Sequence, residues 1–574
     1  MLSRRFAAIG PGGLSILAIG IVAALYLIGA PLGMLLVAAF RGPQDMLPFE
    51  PGSHWTFANL ATVYFDRALY GAVIPNTLIF VAGAVTLGFS TAFALAWLVE
   101  RTDLPARGMI FTLILFPLLV PGVVLAIAWI FLLGPHAGWL NILIRDLLGR
   151  DGDGPLDIFS MGGLILAQAT ALVPFAFLQL TAALRSMNPS LEEAGSMAGA
   201  TPFVTFFRVT LPVLLPGLLA PLILAVLVTL EQFEMPLILG LPARINVFST
   251  RIYYELNPDT DLPAYGRAAA VALPFLAAAI LLLLIYNRLI RRADRFATVT
   301  GKAYRPARFR LGRWRVPAIA LVALYLAFAV VLPLLVLLWT SLFGYQPPTL
   351  SVLLSPSIDA YTRLLGSSSF WFAVRNTFLV AGISAALVTI LGALLAWVVL
   401  RTDLPGRAFL DFTSFLSIGV PSVIAGLSAL LLYLSLPIGI YGTVWVLVLA
   451  YSYRLAVATR LSRAALTQLH RELEEAASVA GGSWVTTIRR VLLPLLAPSL
   501  LASFLLLFIV GFREFTLPVV LQSQDNVVLS VILWTLFTSN RATDAAAVGV
   551  LIVLCIVPII LLGRHVLLGR DGRG

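Results

Sequence analysis

Long apolar blocks with no charged residue dominate this sequence. Three of them run through Leu14–Phe40, Ala72–Val99 and Ala545–Leu562. Each reaches the roughly 17–25 residues that a helix needs to cross a hydrocarbon core about 30 Å thick. Only 11% of the residues are charged, against about 25% in an ordinary soluble domain. The blocks therefore predict an all-α membrane protein.

Hydropathy predicts about 12 transmembrane helices in two sets of six. They lie near 14–40, 73–99, 109–133, 161–184, 210–230 and 269–287, and near 316–341, 376–400, 408–435, 440–460, 492–511 and 547–563. The first is longer than the roughly 7–15 residues of a signal-peptide core. We therefore interpret it as a retained transmembrane helix.

Basic residues indicate which side of the membrane faces the cytoplasm. Residues 288–315, between the sixth and seventh predicted helices, hold ten Arg and Lys residues against one acid, Asp294. Such an excess is typical of cytoplasmic loops, so both termini are also expected in the cytoplasm. The net charge of +11 is then explained by topology and by contact with anionic lipid headgroups. No nucleic-acid partner is expected.

Two internal repeats divide the chain. In the first, Asn76-Thr77 opens a helix that ends at Arg101-Thr102-Asp103-Leu104-Pro105, and the same pattern returns from Asn376-Thr377 to Arg401-Thr402-Asp403-Leu404-Pro405. The second repeat pairs residues 191–199 with residues 473–481. Its two copies are closer together along the chain than those of the first repeat. The difference fits a longer loop near residues 134–158 of the first half.

Both repeats run in the same direction with an even number of predicted helices between them. The two halves should therefore share one orientation and be related by a pseudo-two-fold axis along the membrane normal. We expect a first half at residues 1–290, a basic cytoplasmic linker at 291–315 and a second half at 316–574, each half with six transmembrane helices.

The second repeat carries the most specific motif. The first copy reads Glu193-Ala194-Gly195, three residues, Gly199, nine residues, then Val209-Thr210-Leu211-Pro212; the second reads Glu475-Ala476-Ala477, three residues, Gly481, nine residues, then Val491-Leu492-Leu493-Pro494. Each copy resembles the EAA loop of ABC importer permeases. Gly195 stands where the family pattern has its second alanine, and Val209 and Val491 stand where it has isoleucine.

The resemblance implies a fused, inner-membrane permease of a binding-protein-dependent ABC importer. In that family the loop docks on a cytoplasmic ATPase subunit, and two such subunits drive uptake from a periplasmic binding protein. The implied coupling residues are Glu193, Ala194, Gly199, Glu475, Ala476 and Gly481. Without an ATPase partner, each copy would instead be an amphipathic interfacial helix.

The sequence lacks the motifs of a catalytic subunit. Its only lysine, Lys302, follows Gly301 but precedes Ala303, whereas a phosphate-binding loop needs Lys followed by Ser or Thr. We therefore expect no enzyme activity and no cofactor in this chain, with ATP bound by the partner subunit. The four histidines are scattered without metal-ligand spacing, and the single cysteine, Cys555, allows no intrachain disulfide.

Four charged residues follow the fifth and eleventh predicted helices. They are Glu231, Glu234, Arg513 and Glu514. Ionisable groups at membrane depth usually face a cavity or pair with one another. The sequence leaves open whether these residues form a gate, an Arg513–Glu514 ion pair, or part of an outer loop. The prolines Pro117, Pro121, Pro174 and Pro421 either kink pore helices or mark breaks next to loops.

The transported solute is suggested only by resemblance. The segments Glu234–Gly240 and Ser249–Tyr254 resemble fused permeases of ferric-iron importers. Related permeases serve thiamine, polyamine and phosphonate importers, and these solutes stay open. The rival class is a secondary transporter that works without an ATPase.

Overall fold

The fold is almost entirely helical. The computed structural model describes residues 2–149, 152–186, 194–195, 197–258, 262–293, 309–346, 350–402 and 406–568. Within these ranges the strands Arg41–Gly42 and His54–Trp55 form one antiparallel hairpin. A single parallel bridge joins Thr102 to Phe309. The expectation of an all-α membrane protein is confirmed.

Eleven α-helices are described before residue 294, the part of the chain that we call the first half. They are α1 (Leu2–Ala39), α2 (Ala58–Tyr64), α3 (Ile74–Arg101), α4 (Arg107–Leu115), α5 (Gly122–Leu133), α6 (Trp139–Leu148), α7 (Met161–Ser186), α8 (Pro202–Thr205), α9 (Leu211–Leu230), α10 (Phe248–Leu256) and α11 (Tyr265–Ala293). Short π-helical segments precede α3 and α9, at Leu69–Val73 and Phe206–Thr210, and a third lies at Pro236–Gly240. A 3-10 turn follows α4 at Phe116–Leu119.

The second half, from residue 309 onwards, holds fifteen described α-helices. Its helices are α12 (Arg315–Leu326), α13 (Leu332–Phe343), α14 (Leu350–Leu353), α15 (Asp359–Leu365), α16 (Ser368–Arg401), α17 (Arg407–Leu416), α18 (Ser422–Ser435), α19 (Val444–Tyr451), α20 (Leu455–Gln468), α21 (Glu472–Val479), α22 (Trp484–Thr487), α23 (Leu493–Phe512), α24 (Thr516–Leu521), α25 (Leu529–Thr538) and α26 (Ala542–Leu568). The segments Ala327–Val331 and Ile488–Leu492 are π-helical, and Gly312–Trp314 and Ser417–Gly419 are 3-10 turns.

Three of the predicted transmembrane helices are broken. Among the described residues, nine helices are long and apolar enough to cross a membrane, and the number reaches 12 if each bent pair counts as one span. The bends are 100° between Arg107–Leu119 and Gly122–Leu133, 112° between Arg407–Gly419 and Ser422–Ser435, and 49° between Val444–Tyr451 and Leu455–Gln468. Counted this way, each half holds six spans.

Proline explains the two sharp bends. Val120 and Val420 are extended, with ψ of 132° and 106°, because a residue that precedes proline avoids the helical conformation. Pro121 and Pro421 then cap the helices that follow. Of the two alternatives for the prolines, a break in the helix is therefore correct at both positions. Pro174 lies inside the continuous helix α7.

The two halves contact each other through two equivalent pairs of helices. Helix α1 of the first half packs on α18 of the second half, and α13 of the second half packs on α5 of the first. Because α5 and α18 each follow a proline break, these contacts are equivalent. Phe233 and Phe515, which occupy equivalent positions in the two halves, stack on each other at the same interface. This geometry agrees with a pseudo-two-fold axis between the halves.

Equivalent hydrogen bonds connect one long helix in each half, α3 or α16, to a shorter helix of the same half. The Asn76 side chain donates to the Asn246 carbonyl at 3.3 Å, and the Asn376 side chain donates to the Val527 carbonyl at 3.1 Å. The neighbouring Thr77 and Thr377 hydroxyls accept the backbone N–H groups of Phe248 and Leu529 at 3.2 and 2.9 Å. The Asn-Thr repeat therefore anchors α10 and α25 to the long helices.

Candidate functional site

The second EAA-like loop presents its motif to solvent. Glu475 and Ala476 lie on α21 and are exposed, as is Gly481 beyond its end. In the first loop Ala194 and Gly199 are exposed as well, while Glu193 lies outside the described residues. Within the ranges described, each loop thus offers an accessible surface of small residues.

An exposed apolar side chain stands at the same place in both loops. Met197 is 88% exposed, and Val479, at the equivalent position of the second loop, is 90% exposed. Both side chains are therefore accessible to a partner at these positions. The role of the loops in coupling stays a prediction, because exposure alone does not identify the partner.

The two motif glycines adopt the same left-handed backbone conformation. Gly199 has φ of 80° and Gly481 has φ of 81°. Side chains other than glycine rarely adopt this conformation, and no atom lies within 4 Å of a Cβ built at either position. The backbone turn, and not a close neighbour, therefore requires glycine at both positions.

The arginine of the first repeat contacts the end of the helix that precedes each loop. Arg101 donates to the Leu184 carbonyl at 2.7 Å. Arg401 donates to the equivalent Leu466 carbonyl at 3.1 Å and forms an ion pair with Glu474 at 2.9 Å. Since Glu474 lies on α21, this ion pair connects the second loop directly to the end of α16.

An aromatic contact accompanies the arginine in each half, and we call these contacts, Trp397–Trp484 and Trp97–Phe206, the aromatic brace. Trp397 packs edge-on against Trp484, with ring centroids 5.5 Å apart, and its indole N–H donates to Glu474 at 3.3 Å. In the first half Trp97 packs edge-on against Phe206, also with centroids 5.5 Å apart. Each loop is therefore connected to the segment that opens the next long helix.

A charged cluster lies where the halves meet. Glu231 and Arg513 cap α9 and α23 at equivalent positions. The equivalence is fixed by the next residues, because Ser249 donates to the Gln232 carbonyl at 2.8 Å and Ser530 donates to the Glu514 carbonyl at 2.7 Å. The first half thus places an acid where the second half places a base.

Of the alternatives that the sequence left open, an ion pair between Arg513 and Glu514 is wrong. Glu514 instead pairs with Arg454, and the Glu514 carboxylate is only 9% exposed. Arg513 donates to the backbone carbonyl of Leu118 in the first half. Neighbouring residues at the end of a helix point in different directions, so each side chain finds a partner on another element.

Arg454 was not among the predicted site residues, although the sequence contains a signal for it. It is an arginine within the tenth predicted helix, where an ionisable group is costly. The structure places it at the 49° break between α19 and α20. It also donates to the Ser422 hydroxyl at 3.3 Å, so it connects the break to the proline bend of the same half.

Glu234 and Glu231 complete the cluster from the first half. The Glu234 carboxylate packs on Gly122, where an added Cβ would overlap with it, and Gly122 begins the helix after the first proline bend. Among the described residues neither carboxylate forms an ion pair, but both interact electrostatically with Arg454 and Glu514. A small cavity, lined partly by Tyr451 and Arg454, adjoins the cluster.

The cluster does not have the composition of a metal site. No group of three or more His, Cys, Asp and Glu side chains that could hold a metal ion occurs in the described part of the chain. His54, His136 and His470 are exposed, as expected for surface histidines. Within the cluster, Arg513 connects the two halves through its hydrogen bond to the Leu118 carbonyl.

The comparison with known families identifies the class of protein. The family described as "Binding-protein-dependent transport system inner membrane component" matches residues 84–295 and 388–566, once in each half. The chain belongs to this family. It is therefore a multi-pass inner-membrane permease of an ABC importer, a transport subunit without catalytic activity.

Two relatives resemble this permease over most of its length. It is 28% identical to the ferric transport system permease protein FbpB of Actinobacillus pleuropneumoniae over 505 residues, which are 85% of this chain and 70% of the relative. It is 29% identical to the putative ferric transport system permease protein FbpB 1 of Haemophilus influenzae over 468 residues, 79% of this chain and 71% of the relative.

A solved structure resembles part of the chain. It is a bacterial alginate ABC transporter in complex with an alginate pentasaccharide-bound periplasmic protein. The similarity covers 49% of this chain and 94% of that chain, with 21% identity and a TM-score of 0.39.

Proposed function

We propose that this permease passes ferric iron from a periplasmic binding protein to the cytoplasm, driven by two ATPase subunits. The observation that carries the proposal is the similarity to two ferric transport permeases over 79–85% of the chain. In this proposal the termini and the basic segment 291–315 lie in the cytoplasm, and halves at 1–290 and 316–574 surround the pathway.

The exposed loops support two ATPase partners. Residues 194–199 and 475–481 lie at equivalent places in the two halves and carry the same left-handed glycine. Two equivalent surfaces fit two copies of one partner. Movement of a loop would reach the membrane helices through Glu474 and Arg401 in the second half and through Phe206 and Trp97 in the first.

The gate is assigned to Glu231, Glu234, Arg513 and Glu514, together with Arg454. Arg513 connects α23 to the first half through the Leu118 carbonyl, and Glu234 packs on the first residue of α5. Separation of the halves would break both contacts at once. An Arg513→Met variant should therefore hydrolyse ATP faster without binding protein, because the closed state loses stability.

Basal ATPase activity of the purified complex measures this effect. Arg541→Met is the matched control, since Arg541 pairs with Asp544 away from the cluster. Equal basal activity in Arg513→Met and in the unmodified complex would contradict the gate.

The solute is tested by reconstitution. The permease, its ATPase and its binding protein are placed in liposomes, and uptake and ATP hydrolysis are measured with ferric iron, thiamine, spermidine or 2-aminoethylphosphonate. We expect hydrolysis and uptake to be stimulated by the iron-loaded binding protein alone. Stimulation by one of the other solutes would replace iron as the substrate, and uptake without the ATPase would favour a secondary transporter.

A further inference from the structure

The end of the inter-half segment binds to the first half beside the coupling loop. Phe309 donates its backbone N–H to the Arg101 carbonyl at 3.0 Å, and the Asp103 N–H donates to the Phe309 carbonyl at 3.2 Å. The Leu311 N–H donates to the Asp103 carboxylate at 2.9 Å. We call residues 309–311 the strap.

The strap joins the aromatic brace of the first loop. The Phe309 ring stacks on Trp97 with centroids 6.3 Å apart and an interplanar angle of 24°. Trp97 also contacts Phe206, which opens the π-helical segment before α9. Thr205, one residue earlier, lies beside Gly195 of the loop itself. A continuous path of contacts therefore runs from the strap to the loop.

The second half uses a different brace. Its Trp397 packs against Trp484, a residue of the segment that follows the second loop. The equivalent position in the first half is Pro202, which cannot supply a ring of that size. In the part of the chain that the structure describes, no strand bridge forms at Thr402. In the first half, Phe309 of the strap therefore packs on Trp97. In the second half, Trp484 of that half itself packs on Trp397.

The strap leads directly into the second half. Three residues, Gly312–Trp314, separate it from α12, and Leu311 packs with residues of α12 in the apolar cluster of the first half. A displacement of the first loop therefore reaches α12 through Trp97 and Phe309 without passing through the gate.

We infer that the strap is a positioning element for coupling, with Phe309 as its key residue. It holds the end of α3 against the start of α9, so that the first loop moves these helices together and transmits its motion to α12. This inference rests on the proposed docking of an ATPase at the loops. The segment between the halves is then part of the transmission path as well as a tether.

The test compares Phe309→Ala, Phe309→Trp and Trp314→Ala in the reconstituted complex. Trp314 is the matched control, because it is an aromatic residue of the same segment and is 62% exposed. The measured quantity is solute transported per ATP hydrolysed, since a purely structural defect would lower the amount of complex but leave this ratio unchanged.

We expect Phe309→Ala to lower the ratio about two- to tenfold, the range that matches loss of one aromatic contact. Phe309→Trp should restore it, and Trp314→Ala should leave it unchanged. If Phe309→Ala leaves the ratio of transport to ATP hydrolysis unchanged, the inference that the strap positions the coupling helices is wrong. If the unmodified complex shows no stimulation by any loaded binding protein, the proposed importer function fails instead, which is a distinguishable result.

Discussion

Phe233 and Phe515 occupy equivalent positions in the two halves and stack on each other, with ring centroids 6.5 Å apart and an interplanar angle of 25°. Two equivalent residues can touch only if they lie close to the axis that relates the halves. Both rings are buried, and each residue is adjacent in the chain to a member of the charged cluster, Glu234 or Glu514. The axis therefore passes close to this cluster.

The left-handed glycines allow a specific test of the coupling loops. Gly481→Val should lower transport per ATP hydrolysed, because a left-handed backbone costs a side-chain-bearing residue about 1–2 kcal/mol and the loop would change shape. Gly199→Val should act in the same direction, and so should substitution of Glu193 or Glu475. Transport and hydrolysis by the reconstituted complex give the ratio.

Gly439 provides the matched control for this strain. It has φ of 62° and no atom within 4 Å of a built Cβ, but it lies between α18 and α19, outside the EAA-like loops. Gly439→Val should suffer the same local strain and keep normal coupling. If it uncouples transport as strongly as Gly481→Val, the loops have no special role.

The Arg454–Glu514 pair should be essential for stability. Arg454→Glu or Glu514→Arg alone should destabilise the complex by about 3–5 kcal/mol, because each leaves a mostly buried charge without its partner. The charge-swapped double variant should recover part of this loss. Thermal unfolding of the purified complex measures the three variants, and strictly additive losses in the double variant would contradict direct pairing.

The Asn-Thr anchor predicts a smaller effect. Thr377→Val removes the acceptor of the Leu529 N–H and should lower stability by about 1 kcal/mol, the usual scale for such bonds inside membrane proteins. Thr377→Ser should be nearly neutral. Thr538→Val is the control, since Thr538 bonds only within its own helix. Equal thermal midpoints in Thr377→Val and Thr538→Val would show that the Thr377–Leu529 hydrogen bond does not stabilise the fold.

A glycine contact between α16 and α20 predicts another stability difference. A Cβ added at Gly392 would lie 2.8 Å from the backbone nitrogen of Thr459, so the helices would have to separate. Gly392→Ala should cost about 1–3 kcal/mol, the usual range for overpacking. Gly382→Ala on the same helix should be tolerated, because its nearest neighbour is Phe508 at 3.9 Å. Thermal unfolding distinguishes the two, and equal midpoints would show that α16 and α20 can adjust.

Much of the architecture could be predicted because its signals are local. Apolar length indicated six spans in each half, and the constant offset within each internal repeat predicted which residues are equivalent. The EAA-like motif predicted that Gly199 and Gly481 are equivalent, and both adopt the same left-handed conformation. Boundaries were less predictable, since the 100° and 112° bends at Pro121 and Pro421 depend on how the two helices on either side pack.

By itself, the sequence determined the membrane class, the parallel repeat and the exposed loops, because periodicity, charge asymmetry and turn chemistry are properties of short segments. Only the tertiary structure decided the partners of the charged residues. Glu514 binds Arg454, 60 positions away, and Arg513 reaches the carbonyl of Leu118, 395 positions away. A buried charge takes whichever group the packed helices bring within reach, and no local pattern encodes that choice.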